Sequence, residues 1–253
     1  MNLFWVINAK RIKTASIIVL TAFVAAIFLY VERTHLSVFA TPEGPQAFYR
    51  AEIEEKEVAL TFNISWGEQR IGPILEALEQ NNIEEATFFV SASWAERYPD
   101  LAKSIVEKGF ALGSHGYQYK DYTNWENEQI LKDLRRGQQV LSEITGETPH
   151  LLRPPNGAFD KRVLQLADEQ GLSVIHWSID SGDYKNPGVE QIIQNVVSET
   201  SAGDVLLFHA SDSVKQTHEA LPVIIEQLKE KGYSFINLDQ MMDNAHTTNK
   251  EIY

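Results

Sequence analysis

The feature that most restricts the fold is an alternation. From residue 58 onward short apolar runs take turns with longer amphipathic stretches. The apolar runs cover residues 58–62, 86–90, 110–113, 151–152, 173–177, 205–208 and 234–237. β-Branched and aromatic side chains dominate several of them, which is the pattern of strands covered on both faces. Between them, residues 71–80, 94–108, 126–144, 161–170, 189–199 and 217–231 carry apolar side chains at helical spacing. Seven strands joined through six helices require crossover connections, and crossovers make a parallel sheet. A (β/α) barrel with one unit missing and a doubly wound open sheet both satisfy this order. At 253 residues and 43% hydrophobic composition, the chain fits one barrel-sized core better than two small ones.

The N-terminal end has a different chemistry. Residues 14–31 contain no charged side chain and follow a basic cluster, Lys10, Arg11 and Lys13. Such a stretch reads as a transmembrane anchor or as the apolar core of a signal peptide, with residues 37–40 as a passable cleavage site. Its length favours the anchor, and the basic flank then keeps residues 1–13 cytoplasmic and the body outside. Residues 1–33 carry a net +3, which leaves −16 on the remainder of a chain whose net charge is −13. The basic residues form no stripe that could follow a phosphate backbone, so nucleic acid is excluded as a partner. There are no cysteines, so any metal must be held by His, Asp, Glu or Tyr.

Polar clusters gather at the ends of the strands: residues 63–67 after the first, 114–119 after the third, 153–157 after the fourth, 178–184 after the fifth and His209 after the sixth. In a parallel barrel these ends share one face, where chemistry sits. Taken singly, His115 reads as a core histidine, Arg153 as a loop cap aimed by Pro154-Pro155, and Asp180 and Asp183 as turn formers. His209 is harder to explain in that way, because a buried strand seldom ends on an imidazole without a partner. Asp183 is a candidate for that partner, fixing the tautomer. No glycine-rich phosphate loop is present, which argues against a phosphate-dependent barrel enzyme.

Several stretches together resemble the polysaccharide deacetylase family, the NodB-homology domain of carbohydrate esterase family 4, and above all its sporulation-associated branch. They are Val58-Ala59-Leu60-Thr61-Phe62, Leu112-Gly113-Ser114-His115, Leu152-Arg153-Pro154-Pro155-Asn156-Gly157, Trp177 through Tyr184, and Gly203 through His209. The resemblance implies a distorted seven-stranded (β/α) barrel that removes acetyl groups from N-acetylated sugars such as those of peptidoglycan. With the segments read above, the chain divides into a basic tail 1–13, a membrane segment 14–31, a linker 32–55 with an entry strand at most, a deacetylase domain 56–243 and a flexible tail 244–253. The resemblance also implies an envelope location, with the spore envelope as one setting.

Carried over position by position, the resemblance gives His209 the role of general acid, Asp183 that of its tuning carboxylate, and Arg153 that of orienting the base. Tyr184, Leu207, Pro154 and Trp66 fall where substrate would bind. Two motifs depart from the family. Its Thr-Phe-Asp-Asp-Gly is replaced by Thr61-Phe62-Asn63-Ile64, with Ser65-Trp66 before Gly67, so both carboxylates are missing. Its His-x-x-x-His becomes His115-Gly116-Tyr117-Gln118-Tyr119, which keeps one imidazole. The family's divalent metal, a zinc, would thus have His115 as its only surviving ligand, with Ile64 and Tyr119 in place of the other two. Catalytic zinc needs three protein ligands and an open position for water. The sequence therefore supports two expectations: a deacetylase with weakened metal chemistry, or an inactive glycan-binding or scaffold protein of the envelope.

Overall fold

The computed structural model describes residues 44–250, together with Val19, Thr21 and the pair Ala40–Thr41. The membrane segment expected at 14–31 otherwise lies outside the described residues. Among those described, no helix is long and apolar enough to cross a membrane.

The sheet is entirely parallel. Its strands are β1 (Glu57–Ile64), β2 (Thr87–Val90), β3 (Ala111–Ser114), β4 (Leu151–Leu152), β5 (Ser173–Val174), β6 (Ile179–Asp180) and β7 (Val205–His209). They run in the order β5-β4-β3-β2-β1-β7-β6, and β8 (Ser234–Phe235) pairs with the first two residues of β1. Among the described residues no ladder joins β5 to β6, so the barrel is open there, a half-barrel. The segment after the short Gly44–Pro45 strand lies along this seam. The Phe48 amide donates to Val174 at 2.8 Å, the His176 amide to the Phe48 carbonyl at 2.7 Å, and the Ala51 amide to the Gly203 carbonyl at 2.8 Å.

Strand β1 is the axis of the molecule and is buried over nearly its whole length. Its side chains alternate between the two faces of the sheet. Val58, Leu60, Phe62 and Ile64 belong to the core beneath the helices, whereas Ala59 belongs to a separate cluster with Phe48, Phe89, Ile175 and Val205. Phe62 is in register with Phe88 of β2 and Phe208 of β7, and its ring stacks on both, at 4.8 and 5.6 Å between centroids. One residue further, the same register sets Asn63 level with His209. Packing on one face of the sheet thus fixes the alignment of polar groups on the other.

The helices form where the apolar spacing predicts them. Helix α1 (Ile71–Gln80) buries Ile71, Ile74, Leu75 and Leu78, spaced i, i+3, i+4, i+7. Helix α4 (Asn127–Thr145) begins with Gln129 accepting from the Glu126 amide at 3.0 Å and ends on Gly146 at φ 82°, a left-handed cap. The remaining long ones are α5 (Lys161–Asp168), α6 (Val189–Val197), α7 (Thr217–Glu230) and α8 (Leu238–Lys250).

Four expectations are corrected. The single helix foreseen at 94–108 is two, α2 (Ala92–Arg97) and α3 (Pro99–Glu107), because proline at the first helical position lacks the amide that would continue α2. The strand foreseen at 173–177 stops at Val174, and the chain forms a further strand, β6, past the seam. The stretch assigned to a linker includes Phe48 and Ala51, both buried in the barrel. Helix α8 runs to Lys250, beyond the domain end foreseen at 243.

Candidate active site

Two imidazoles face opposite chemical situations at the C-terminal ends of the strands. His209 closes β7 and is 19% exposed. Its Nδ1 donates to Asp183 Oδ1 at 2.8 Å, which leaves Nε2 as the ring position at the cleft. Asp183 is fully buried, and its Oδ2 accepts two further bonds, from the His209 amide at 2.8 Å and from Thr217 Oγ1 at 2.7 Å. A carboxylate held by three donors cannot turn away, so the imidazole has one orientation and one tautomer. Thr217, the first residue of α7, was not foreseen as part of this group, since its place in sequence marks only a helix start.

His115 lies just beyond β3 and is completely buried. Its Nδ1 donates to the Arg153 carbonyl at 2.5 Å, so Nε2 carries the lone pair and has no partner. Burial pushes its pKa down from 6.5 to about 3, with Arg153 and His209 adding repulsion and the bond to Arg153 opposing it. The ring is neutral at any physiological pH. The Tyr119 ring stands edge-on to it at 5.2 Å, and the Tyr119 hydroxyl donates to Asn156 Oδ1 at 2.8 Å.

Arg153 follows β4 and is fully buried as well. Its Nη1 donates to Thr61 Oγ1 at 2.9 Å and to Asn63 Oδ1 at 3.0 Å, its Nη2 donates to the His176 carbonyl at 2.9 Å, and its carbon lies 4.1 Å from the Phe89 ring centroid. Each of these acceptors is neutral. Burial lowers the guanidinium from its ordinary range to about 9, so it remains charged at neutral pH although all its hydrogen-bond acceptors are neutral.

These groups border a cleft of about 390 Å³ whose wall includes Asn63, Trp66, Tyr119, Asn156, Asp180, Tyr184, Leu207 and His209. Of the residues foreseen at the site, Asn63, Trp66, Tyr184, Leu207 and His209 meet there, and Tyr119 joins them. Asp183, Arg153 and His115 support the wall from behind. Pro154 is buried and contributes no surface to the cleft. Ile64 is fully buried in the core under the helices. Ser211 and Asp212 were not foreseen either. Ser211 Oγ accepts from the Ser65 amide at 3.1 Å, and the Asp212 carboxylate accepts from the Glu68, Gln69 and Arg70 amides at 2.8 to 3.1 Å. They belong to the loop after β7, over 140 residues from the loop they hold.

The donors present do not fit a zinc ion. Among the described residues no group of three or more His, Asp or Glu side chains could hold a metal. His115 Nε2 is a single unengaged donor, Ile64 has none, and the Tyr119 hydroxyl is committed to Asn156.

Comparison with known proteins agrees with this geometry. The polysaccharide deacetylase family profile matches residues 50–175. A peptidoglycan-N-acetylglucosamine deacetylase of Bacillus cereus is 31% identical over 191 residues, 75% of this chain and 69% of the relative. The chain belongs to the polysaccharide deacetylase family. YlxY, an uncharacterized protein of Bacillus subtilis, is 28% identical over 79% of this chain but only 62% of its own length, so the chain spans less than two thirds of that relative. Among solved structures, a CE4 family pseudoenzyme from Bacillus anthracis superimposes with a TM-score of 0.75 at 30% identity, covering 79% of this chain and 70% of the other. A mutant of that pseudoenzyme with restored enzymatic activity superimposes equally well, over 72% of its length.

Proposed function

We propose that the protein acts on N-acetylated sugars of peptidoglycan, as a carbohydrate N-deacetylase of the hydrolases that cleave carbon–nitrogen bonds of linear amides. The observation that carries this reading is the buried Asp183 holding His209 at the cleft. In deacetylation water adds to the acetyl carbonyl carbon, the C–N bond breaks, acetate leaves and the sugar nitrogen takes a proton. As an imidazolium, His209 carries on Nε2 a proton it can deliver to that nitrogen, returning to the neutral ring that Asp183 holds through Nδ1, and a positioned general acid contributes about 10²–10⁴ in rate. No carboxylate stands at the position of Asn63 to take the water's proton, because Asn63 is an amide that already accepts from Arg153, and Asp180, the one carboxylate in the lining, accepts from the Gly182 amide and the Tyr184 hydroxyl. Turnover is accordingly slow.

A second reading has its own support. Ile64 is buried among apolar side chains and Tyr119 covers the remaining imidazole, so the half of the site that activates water is dismantled. A CE4 pseudoenzyme stands among the structural relatives. On that reading the protein binds glycan as an envelope scaffold. Measuring acetate released from peptidoglycan fragments by purified domain, with and without added zinc, separates the two. Release that falls in His209→Ala supports the enzyme; saturable binding without release supports the scaffold.

For location, we propose that residues 14–31 hold the domain at the outer face of a membrane, in the cell or spore envelope. The uncharged run and its basic flank support this. Recovery of the full-length chain in the membrane fraction, with the domain open to added protease, is the expected result. A soluble product starting near residue 41 would favour a cleaved signal.

A further inference from the structure

Among the described residues the exposed large hydrophobic side chains are Val19, Tyr49, Trp66, Tyr119 and Tyr184, and three of these five line the one cleft. Single exposed apolar residues are ordinary, but rings that share one concavity are not scattered singly. Trp66 is 60% exposed, Tyr184 45% and Tyr119 42%.

All three are held. The Tyr119 hydroxyl donates to Asn156, and the Tyr184 hydroxyl donates to Asp180 Oδ2 at 3.3 Å while its ring meets His209 edge-on at 5.5 Å. Trp66 has no side-chain bond to fix it, and its backbone is fixed instead. Its carbonyl accepts from the Asp212 amide at 3.1 Å, and the next carbonyl, that of Gly67, accepts from Trp94 Nε1 at 2.5 Å. Gly67 has φ +84°, and the Asp212 carboxyl occupies the space where a Cβ would stand. The loop is thus pulled tight beneath an indole that is left in solvent.

The rest of the lining narrows the ligand class. It offers hydroxyls, amides, one imidazole and one carboxylate, with no lysine or arginine. That surface does not suit phosphates or polyanions. It suits neutral, hydroxyl-rich rings, whose apolar faces lie against aromatic rings while their edges form hydrogen bonds.

We propose that Trp66, Tyr119 and Tyr184 form an aromatic cradle for an oligosaccharide of N-acetylated hexosamine, that the cradle needs no metal, and that Trp66, at the rim, stacks on a sugar next to the one facing His209. Trp66 therefore sets the length of chain that binds. This rests on the glycan reading above, in either its catalytic or its scaffold form. Because the two tyrosine hydroxyls and the backbone of Trp66 are held before the ligand arrives, less ordering opposes binding than in a free loop.

The test is titration calorimetry in EDTA with tetra-N-acetylchitotetraose and with N-acetylglucosamine, using wild type, Trp66→Ala, Trp66→Gln and Trp66→Phe, each checked by thermal melting. The expected result is that the Ala and Gln variants lose about tenfold in affinity for the tetrasaccharide, while the monosaccharide is unaffected and Phe keeps most of the affinity. Tetrasaccharide binding that is equal in wild type and both ring-less variants would overturn the cradle and leave the glycan reading standing. Loss of monosaccharide binding to the same degree would overturn the assignment of Trp66 to a neighbouring sugar. A wild type that binds only after zinc is added would overturn the metal-free cradle alone. A wild type that binds neither sugar, with or without zinc, would remove the cradle and the glycan reading together.

Discussion

Replacing Asn63 with aspartate sets a carboxylate about where the amide oxygen now lies, 3.0 Å from Arg153 Nη1. The guanidinium is already desolvated, and complete burial lowers it from its ordinary range to about 9. At roughly 1.4 kcal/mol per pH unit, holding that charge costs on the order of 5 kcal/mol. The new ion pair gains about 4 kcal/mol at an effective dielectric of 20, and desolvating the incoming carboxylate takes back several. Because the arginine side of the cost is present before the substitution, the net is a stabilisation of about 1–2 kcal/mol, or roughly 2–8 °C in Tm for a domain of this size. The assay is urea unfolding of the two proteins at a series of pH values. The arginine holds the folded carboxyl below its unfolded value near ~3.9, so the gain is full above that pH and disappears as pH falls through the folded value. An Asn63→Asp protein less stable than wild type at pH 7 would refute the reasoning, because it would mean the buried guanidinium carries no uncompensated charge.

Three further outcomes are expected. Burial holds His115 near 3 against 6.5 unfolded, so between those values the folded state binds fewer protons. Stability should then fall as pH drops from 6.5 toward 3, by up to about 5 kcal/mol, with no effect above that window; His115→Leu should flatten the profile in acid denaturation. His209→Ala should lower acetate release by about 10²–10⁴ and Asp183→Asn by less, both seen in initial rates on peptidoglycan fragments. Ile64→Asp buries an unpaired carboxyl in the core and should cost about 3 kcal/mol or more in urea unfolding.

The axis of the fold was legible because β1 and β7 are long, apolar and unambiguous, and their register follows from stacked phenylalanines that a sequence displays. For the same reason the sequence alone places Asn63 and His209 at the strand ends. Strand β6 was missed because two residues, Ile179 and Asp180, give no periodicity to read. Ser211, Asp212 and Thr217 were missed because their partners lie more than 30, and in two cases more than 140, residues away, and no local pattern encodes such bonds. Pro154 was placed in the cleft by its neighbour Arg153, although alternation turns adjacent residues in different directions.

Residues 48–51, the part of the chain that leads from the N-terminal side into the barrel, bridge the open side of the sheet at Ile175, just past β5, and at Asp204, just before β7. In that segment the Phe48 carbonyl accepts from the His176 amide. The His176 carbonyl in turn receives Arg153 Nη2, and Arg153 Nη1 holds Asn63 at the cleft. Phe48, His176 and Arg153 therefore join the leading segment to the cleft wall through consecutive hydrogen bonds, so that segment is part of what holds the cleft in place.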